Sequence, residues 1–338
     1  MALKKDKMLK VTWHSNSDIR IEELQIPQPN DGEMLVEVIS CGLCGSDLLE
    51  WYRLPRAPFT PGHEVTGEIV EVGKKVTNFS QGQKVVIVPK IPCRECHYCQ
   101  KGAFSSCSAI SERLPGAFAK YIVIPESIVI RGVYPLPDNM TSDQGTFTEP
   151  LACAIQAQKR AKVATGQSIM VFGCGTAGLL HIKLAKFNNC AITAVDINPD
   201  RLNFAEKIGA DVTLNPNTHK VPKMVERQAD VVIICTSALP AIEDAWKCVD
   251  KGGYVVFFAV PEIDSLTIPI QTLWLNNIDL VFSYYCGPLE ISEALVLLNT
   301  GKIEVDDLIS HRLPLSDIDK AYQLAIDAKD SFKVIIEP

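Results

Sequence analysis

The stretch between residues 168 and 184 places the strongest constraint on how this chain folds. It consists of an apolar run, a glycine-rich turn and a helical sequence: Ser168–Phe172, Gly173-Cys174-Gly175-Thr176-Ala177-Gly178 and residues 179–184. A glycine motif of this spacing between a strand and a helix is typical of a dinucleotide-binding βαβ unit. Gly173 permits the tight turn, Gly175 lets a pyrophosphate approach the backbone, and Gly178 lets the helix pack against the strand. Thr176 and Ala177 begin the helix, whose free N–H groups attract phosphate.

The next predicted strand indicates which dinucleotide binds. Asp196 follows the apolar run Ala191–Val195, close to the spacing of the acid that binds the adenosine ribose. A carboxylate there accepts hydrogen bonds from both ribose hydroxyls and repels a 2′-phosphate, which predicts NAD as the coenzyme. Arg201 keeps NADP as the alternative, because a nearby guanidinium tolerates a phosphate.

The pattern of the chain changes near residue 166. Before it, short segments such as residues 34–39 alternate apolar and polar side chains, which predicts an antiparallel β domain. After it, strands alternate with helices, which predicts a parallel sheet flanked by helices. We expect a first domain over residues 1–150 with a cysteine-rich lobe at 90–110, a coenzyme domain over 151–285, and a final segment over 286–338.

The composition excludes several classes of protein. With 338 residues, of which 47% are hydrophobic and 22% charged, the chain is long enough for two globular domains and is neither disordered nor fibrous. Its formal net charge of −7 offers no overall attraction to nucleic acid or to an anionic membrane. The start is basic but lacks an apolar signal segment, so we expect a cytoplasmic protein whose partner is a small molecule.

Four of the twelve cysteines crowd into the lobe: Cys93, Cys96, Cys99 and Cys107. Their spacing suits a tetrahedral Zn²⁺ with no open position, so we predict a structural zinc site. An iron–sulfur cluster is the chemical alternative, although the sequence shows no other sign of a redox chain. Six scattered cysteines are expected to be reduced and buried: Cys153, Cys174, Cys190, Cys235, Cys248 and Cys286.

Two shorter motifs indicate a second metal site. Cys44-Gly45-Ser46-Asp47 and Gly62-His63-Glu64 offer a thiolate, an imidazole and carboxylates. Such a mixed donor set suits a zinc ion that keeps one position open for a substrate.

Taken in order, the motifs resemble the zinc-containing medium-chain dehydrogenase/reductase superfamily. They are residues 42–47, residues 62–70, the four-cysteine lobe, Thr148-Glu149-Pro150-Leu151 and residues 173–178. The Glu149-Pro150-Leu151 sequence is most similar to the polyol (sorbitol-type) branch. The resemblance implies an α/β protein: a GroES-like, β-rich catalytic domain, completed by the C-terminal segment, and an inserted Rossmann domain with a doubly wound parallel sheet.

The resemblance also implies the ligands of a catalytic zinc, and so two Zn²⁺ per chain. These ligands are Cys44, His63 and, as the fourth ligand or the holder of the zinc-bound water, Glu64 or Glu149. Zinc lowers the pKa of a bound alcohol, and hydride then passes to the nicotinamide. Relatives are commonly homodimers or homotetramers joined through their coenzyme domains.

Further roles follow from the same resemblance. Ser46 matches the hydroxyl that relays the substrate proton, Asp47 matches an acid beside the catalytic zinc, and Arg201 matches a contact to the adenosine end of NAD. The chain departs from the pattern at Leu49, where many relatives have a histidine that continues the proton relay. Glu50 or a chain of waters is the candidate substitute.

The expected reaction is oxidation of a secondary hydroxyl of a polyol, cyclitol or sugar derivative. Arg53 and Arg56, between the two ligand motifs, are candidates for binding a phosphate or carboxylate on the substrate, and an exposed structural role is equally compatible with the sequence. The alternatives are an amino-alcohol dehydrogenase of the threonine type, and a nucleotide-binding protein without catalysis. The zinc-free quinone reductase branch is disfavoured because both zinc motifs are present.

Overall fold

A computed structural model describes residues 7–109, 113–218, 221 and 228–338. The chain divides into two compact units, of which the first comprises Met1–Glu149 with Leu295–Pro338 and the second comprises Pro150–Ala294. The C-terminal residues therefore belong to the first unit, and the second is inserted into it. Residue 110, the last position of the expected lobe, lies outside the described residues.

The described strands are β1 Lys7–Ser15, β2 Asp18–Gln25, β3 Met34–Gly42, β4 Glu64–Val72, β5 Lys84–Ile87, β6 Tyr121–Ile124, β7 Val133–Pro135, β8 Ser168–Phe172, β9 Ala191–Val195, β10 Val212–Leu214, β11 Ala229–Ile234, β12 Val249–Phe257, β13 Asp279–Phe282, β14 Ile309–Pro314 and β15 Lys333–Glu337. The described α-helices are α1 Glu50–Arg53, α2 His97–Gln100, α3 Glu126–Arg131, α4 Ser142–Gly145, α5 Thr148–Arg160, α6 Thr176–Phe187, α7 Pro199–Ile208, α8 Leu239–Cys248, α9 Ile270–Leu275, α10 Pro288–Asn299 and α11 Ile318–Asp327.

The first unit is built on a sheet in the order β14-β15-β3-β4-β5-β7, with β6 also paired to β3. Its pairs are antiparallel except for β14 with β15, which confirms the predicted antiparallel β domain. Strand β3 is buried along most of its length, because β4, β6 and β15 all pair with it. The C-terminal strand β15 therefore lies beside the centre of this sheet.

The second unit contains a parallel sheet in the order β10-β9-β8-β11-β12-β13, which confirms the predicted alternation of strands and helices. Strand order reverses between β8 and β11, and ligands of such sheets bind outside the carboxyl ends of the strands at this point. The glycine motif follows β8 directly. Buried apolar side chains on both strands, including Phe172, Val232 and Ile234, form the core beneath it.

Short strands complete the second sheet. Among the described strands, β10 and β13 lie at its two edges. In the part of the chain that the structure describes, every helix is too short or too polar to traverse a lipid bilayer.

Candidate metal centres and coenzyme site

Strand register brings the first two metal-binding motifs together. In the antiparallel pair of β3 and β4, Gly42 lies opposite Glu64. Cys44 follows two residues after the end of β3, and His63 immediately precedes β4. Gly62 has a φ of +91°, and a Cβ there would press against Phe118, so the turn that delivers His63 requires glycine.

Cys44, His63 and Glu64 each offer a ligand atom, and these atoms lie within 4.8 Å of one another. A sulfur, an imidazole nitrogen and a carboxylate oxygen are all zinc ligands in proteins, so the residues present fit the ion. Glu149 is not part of this group of described residues, although it is buried. Of the two carboxylates that the sequence left open, the structure therefore places Glu64 with the thiolate and the imidazole.

Glu64 has a partner that the sequence did not reveal. Its side chain is 1% exposed and forms an ion pair with Lys333 Nζ, whose side chain is 2% exposed. Burial alone would lower the pKa of Lys333, but the charges of Glu64 and Cys44 and the hydrogen bond to Glu64 together raise it. Glu149 acts in the same direction, so this carboxylate also lies within electrostatic reach of Lys333.

The loop after Cys44 forms a short hydrogen-bond network. Ser46 donates to Cys44 Sγ from its hydroxyl at 3.3 Å and from its backbone N–H at 3.4 Å. Asp47 Oδ1 lies 3.5 Å from His63 Nδ1, which leaves Nε2 as the ring nitrogen for a metal. Burial alone would raise the pKa of Asp47, but the charges of His63 and Arg53 lower it.

Arg53 belongs to this network, so the exposed structural role that the sequence also allowed is wrong for this residue, and binding of a substrate anion stays a prediction. Its side chain is 10% exposed and pairs with Asp47 at 2.8 Å. Arg56 is exposed, and its guanidinium carbon lies 5.0 Å from the centroid of the Tyr52 ring. Both arginines lie in the same polar stretch of sequence, and no local pattern distinguishes the buried Arg53 from the exposed Arg56.

The four lobe cysteines also meet, with ligand atoms within 4.8 Å of one another. Cys93 Sγ lies 3.9 Å from Cys99 Sγ, and Cys96 Sγ lies 3.8 Å from Cys107 Sγ. Sulfurs of a tetrahedral zinc site with Zn–S bonds of about 2.3 Å are about 3.8 Å apart, so these residues fit zinc. Backbone N–H groups, led by that of Cys99, lower the pKa of Cys96 to about 5.

Two of the scattered cysteines differ from expectation. Cys153 and Cys235 are half-buried, whereas Cys174, Cys190, Cys248 and Cys286 are buried as expected. All twelve cysteines of the chain are described, and none of them forms a disulfide.

The glycines of the coenzyme motif have the geometry that a phosphate cradle needs. Gly173 has a φ of +92°, and a Cβ on Gly178 would overlap the carbonyl oxygen of Gly173. Around a Cβ on Gly175, by contrast, the nearest atom of the described residues is Arg201 Nη1 at 3.8 Å. Gly175 caps α6, which Thr176 and Ala177 begin, so the helix N-terminus opens onto this space.

Asp196 lies beside the same turn. Its carboxylate is buried and accepts hydrogen bonds from the backbone N–H of Cys174 at 2.6 Å and of Asn198 at 2.8 Å. The structure thus places Asp196 against Cys174 and Arg201 near Gly175, so both residues lie beside the glycine motif.

Two residues beside the candidate metal site were not identified from the sequence. Lys333 begins the apolar C-terminal strand β15, and a lysine at that position is the one signal that could have indicated a buried charge. Tyr322 lies on the buried face of α11, 1% exposed, and within electrostatic reach of Asp47 and Arg53. Nothing in the sequence distinguishes its ring from an ordinary core aromatic.

Comparisons with known proteins cover nearly the whole chain. Residues 30–138 match the family model of the alcohol dehydrogenase GroES-like domain, and residues 177–300 match that of zinc-binding dehydrogenases. D-xylulose reductase A of Aspergillus oryzae is 31% identical over 94% of this chain and 93% of its own length. Sorbitol dehydrogenase of Halalkalibacterium halodurans is 30% identical over 98% and 99%. A solved protein described as a zinc-binding dehydrogenase, from Sinorhizobium meliloti and bound to NADP, has a TM-score of 0.88 and 26% identity, covering 98% of this chain and 100% of that one.

Proposed function

This chain belongs to the zinc-containing medium-chain dehydrogenase family, and from that premise we propose that it transfers a hydride between a secondary alcohol of a polyol, cyclitol or sugar derivative and NAD. Relatives named for xylulose and sorbitol span almost all of it, which favours a polyhydroxylated substrate. The observation that carries the proposal is the group formed by Cys44, His63 and Glu64. A mixed donor set of this kind suits a catalytic zinc better than a structural one.

Cys44, His63 and Glu64 would hold the catalytic zinc, and the four lobe cysteines a structural one. When bound, zinc acts as a Lewis acid that lowers the pKa of an alcohol toward neutrality. Glu64 is favoured over Glu149 as the carboxylate ligand because it alone belongs to the donor group. We assign Glu149 a role as a nearby negative charge that acts on Lys333.

Ser46 handles the substrate proton in this proposal. Its hydroxyl lies 3.3 Å from Cys44 Sγ, directly beside a residue of the donor group. Asp47 holds Nδ1 of His63 at 3.5 Å and thereby fixes the orientation of the imidazole. A hydroxyl and a carboxylate that flank the ligands in this way orient the substrate and keep the ligand ring from rotating.

We assign NAD as the coenzyme because a buried carboxylate, Asp196, lies beside the phosphate cradle. NADP is the second candidate, since the guanidinium of Arg201 lies at Gly175 and a related structure binds NADP. Dissociation constants for NADH and NADPH, measured by fluorescence titration, decide between them. Tighter binding of NADPH than of NADH would contradict the assignment. In Asp196→Ala, the dissociation constants for NADH and NADPH should lie closer together than in the wild type.

We further propose a homodimer or homotetramer in the cytoplasm. Among the described strands, β13 is an edge strand, and edge strands present unpaired backbone groups to a second chain. Phe282 on this strand is 64% exposed and Trp274 on α9 is 76% exposed. The cytoplasm is supported by the lack of disulfides among the twelve cysteines.

The test measures zinc by mass spectrometry and NADH formation on one purified sample, with a panel of polyols, cyclitols, simple alcohols and threonine. Two zincs per chain and turnover of polyols support the proposal. Turnover of threonine alone would favour an amino-alcohol dehydrogenase, and one zinc without turnover would favour a nucleotide-binding protein. Cys44→Ser should abolish turnover and remove one zinc, whereas the control Cys41→Ser, at a neighbouring buried thiol, should retain both zincs.

A further inference from the structure

We propose that Arg53 is a positioning residue that sets the hydroxyl of Ser46 and the carboxylate of Asp47 in the metal site. The inference rests on the function proposed above. One guanidinium donates three hydrogen bonds of 2.8 Å. Its Nε donates to the carbonyl oxygen of Ser46, and its Nη2 donates to Ser46 Oγ and to Asp47 Oδ1. A single planar group thus holds both residues that flank the metal ligands.

The bond to Ser46 determines what that hydroxyl can do. A serine hydroxyl has one hydrogen to donate and lone pairs that accept. Because Arg53 donates to Ser46 Oγ, the hydroxyl hydrogen is directed elsewhere, and Cys44 Sγ lies within reach at 3.3 Å. An arginine has no lone pair to accept a proton, so no proton passes from Ser46 to Arg53. The hydroxyl is therefore held as a donor toward the metal ligands.

The bond to Asp47 acts on the second metal ligand. Asp47 Oδ1 lies 2.8 Å from Arg53 Nη2 and 3.5 Å from His63 Nδ1. A buried carboxylate remains charged only when it is paired, and the side chain of Asp47 is 1% exposed. Arg53 thus supplies the partner that this buried carboxylate needs and fixes its position against the imidazole.

Arg53 is itself held in place. It ends α1, seven positions after Ser46 in the sequence. Its guanidinium carbon lies 5.3 Å from the centroid of the Tyr52 ring and 6.0 Å from that of Phe59. Contacts of this kind with aromatic rings favour a cation and limit its motion. The guanidinium is therefore ordered before a substrate arrives, as a positioning group must be.

The position of Arg53 also bears on the departure from the family pattern at Leu49. Relatives with a histidine there are expected to continue the proton relay past the serine, and this chain has Arg53 on Ser46 instead. Leu49 lies one position before α1 and offers no polar group. Because neither Leu49 nor Arg53 accepts a proton, a proton relayed by Ser46 leaves by a route that involves neither residue.

The experiment compares Arg53→Met and Arg53→Lys with the control Arg56→Met, which removes an exposed arginine three positions away. Loss of a residue that orients metal ligands commonly costs about 10- to 100-fold in metal affinity or activity. We expect Arg53→Met to lower kcat for the polyol by about 10- to 100-fold while KM changes little. A chelator should also remove one of the two zincs from Arg53→Met, whereas the same treatment should leave both zincs on Arg56→Met.

Arg53→Lys separates positioning from simple charge pairing. Lysine keeps the positive charge beside Asp47 but lacks the planar fork that reaches both residues at once. We expect Arg53→Lys to have a melting temperature close to that of the wild type but to keep the low kcat of Arg53→Met. Full recovery of both by Arg53→Lys, or wild-type kcat in Arg53→Met, would overturn the proposal.

A double-variant cycle tests the route through Ser46. In the Ser46→Ala background, the loss of kcat caused by Arg53→Met should be smaller than in the wild type, because the hydroxyl is no longer there to be oriented and only the contact with Asp47 remains to be lost. Equal losses in both backgrounds would refute action through Ser46. If Arg53→Met does not fold, Arg53→Lys serves in the same cycle. Zinc retention is measured without substrate, so it tests Arg53 even if the wild-type protein oxidises no polyol.

Discussion

The pair formed by Glu64 and Lys333 makes the sharpest prediction about stability. Both side chains are almost completely buried, at 1% and 2% exposed. Removing one partner of a buried ion pair costs about 3–5 kcal/mol, because the other charge is left without compensation in a medium of low dielectric. We therefore expect Lys333→Met to lower the free energy of unfolding of the zinc-free protein by about that amount.

Urea denaturation followed by circular dichroism measures the loss, with the slope of free energy against urea compared between variants to exclude a change in the unfolded state. Glu64→Gln is the matched variant, since it leaves the lysine charge buried instead. The double variant Lys333→Met/Glu64→Gln should lose less than the sum of the two single losses, because neither charge is then left alone. A loss below about 1 kcal/mol in Lys333→Met, the size seen for exposed pairs, would refute the reasoning, and so would strict additivity.

Three further predictions concern groups outside the donor set. Burial lowers the pKa of His181 to about 3 from its usual value of about 6.5. Between these two pH values, the imidazole is protonated in the unfolded chain and neutral in the folded chain. Stability should fall as the pH drops from about 6.5, by about 2 kcal/mol at pH 5, and urea titrations of His181→Gln should lack this part of the slope. The hydroxyl of Tyr322 is buried without a hydrogen-bond partner among the described residues. Tyr322→Phe should therefore raise the free energy of unfolding by about 1 kcal/mol or more. A free energy of unfolding below that of the wild type would contradict this prediction. Cys93→Ala should lower the melting temperature in calorimetry and remove one zinc by metal analysis, and retention of two zincs would count against the lobe as a metal site.

Local patterns predicted the coenzyme unit because each glycine of its motif acts over a few residues. Gly178 has no room for a Cβ because of the carbonyl of Gly173 in the same turn, and that constraint is visible in the spacing alone. Strands β10 and β13, by contrast, have three and four residues and were not expected. An edge strand of that length is too short to show a period of two.

The metal site was predictable only in part, for a similar reason. Cys44 and His63 belong to compact motifs, and the register of β3 against β4 then brings them together. Lys333 reaches Glu64 from 269 positions away, through the pairing of β15 with β3. Such a pairing is set by the packing of the whole sheet, so no local pattern could assign a partner to Glu64.

The buried charges of the first unit favour a divalent metal at the donor group. The buried carboxylates in and around the donor group are Asp47, Glu64 and Glu149, and the buried cations are Arg53 and Lys333. With Cys44 as a thiolate and His63 neutral, as metal binding requires, this set carries two more negative charges than positive ones. Zn²⁺ cancels that excess, which would otherwise be left in a medium that penalises unpaired charge, whereas the raised pKa of His63 lets the metal-free site offset part of it by binding a proton. Removal of Lys333 increases the excess and frees Glu64 for the metal, so Lys333→Met should bind zinc more tightly while the metal-free form unfolds more easily. Its loss of stability should therefore shrink when zinc is added, because a ligand stabilises the state that binds it.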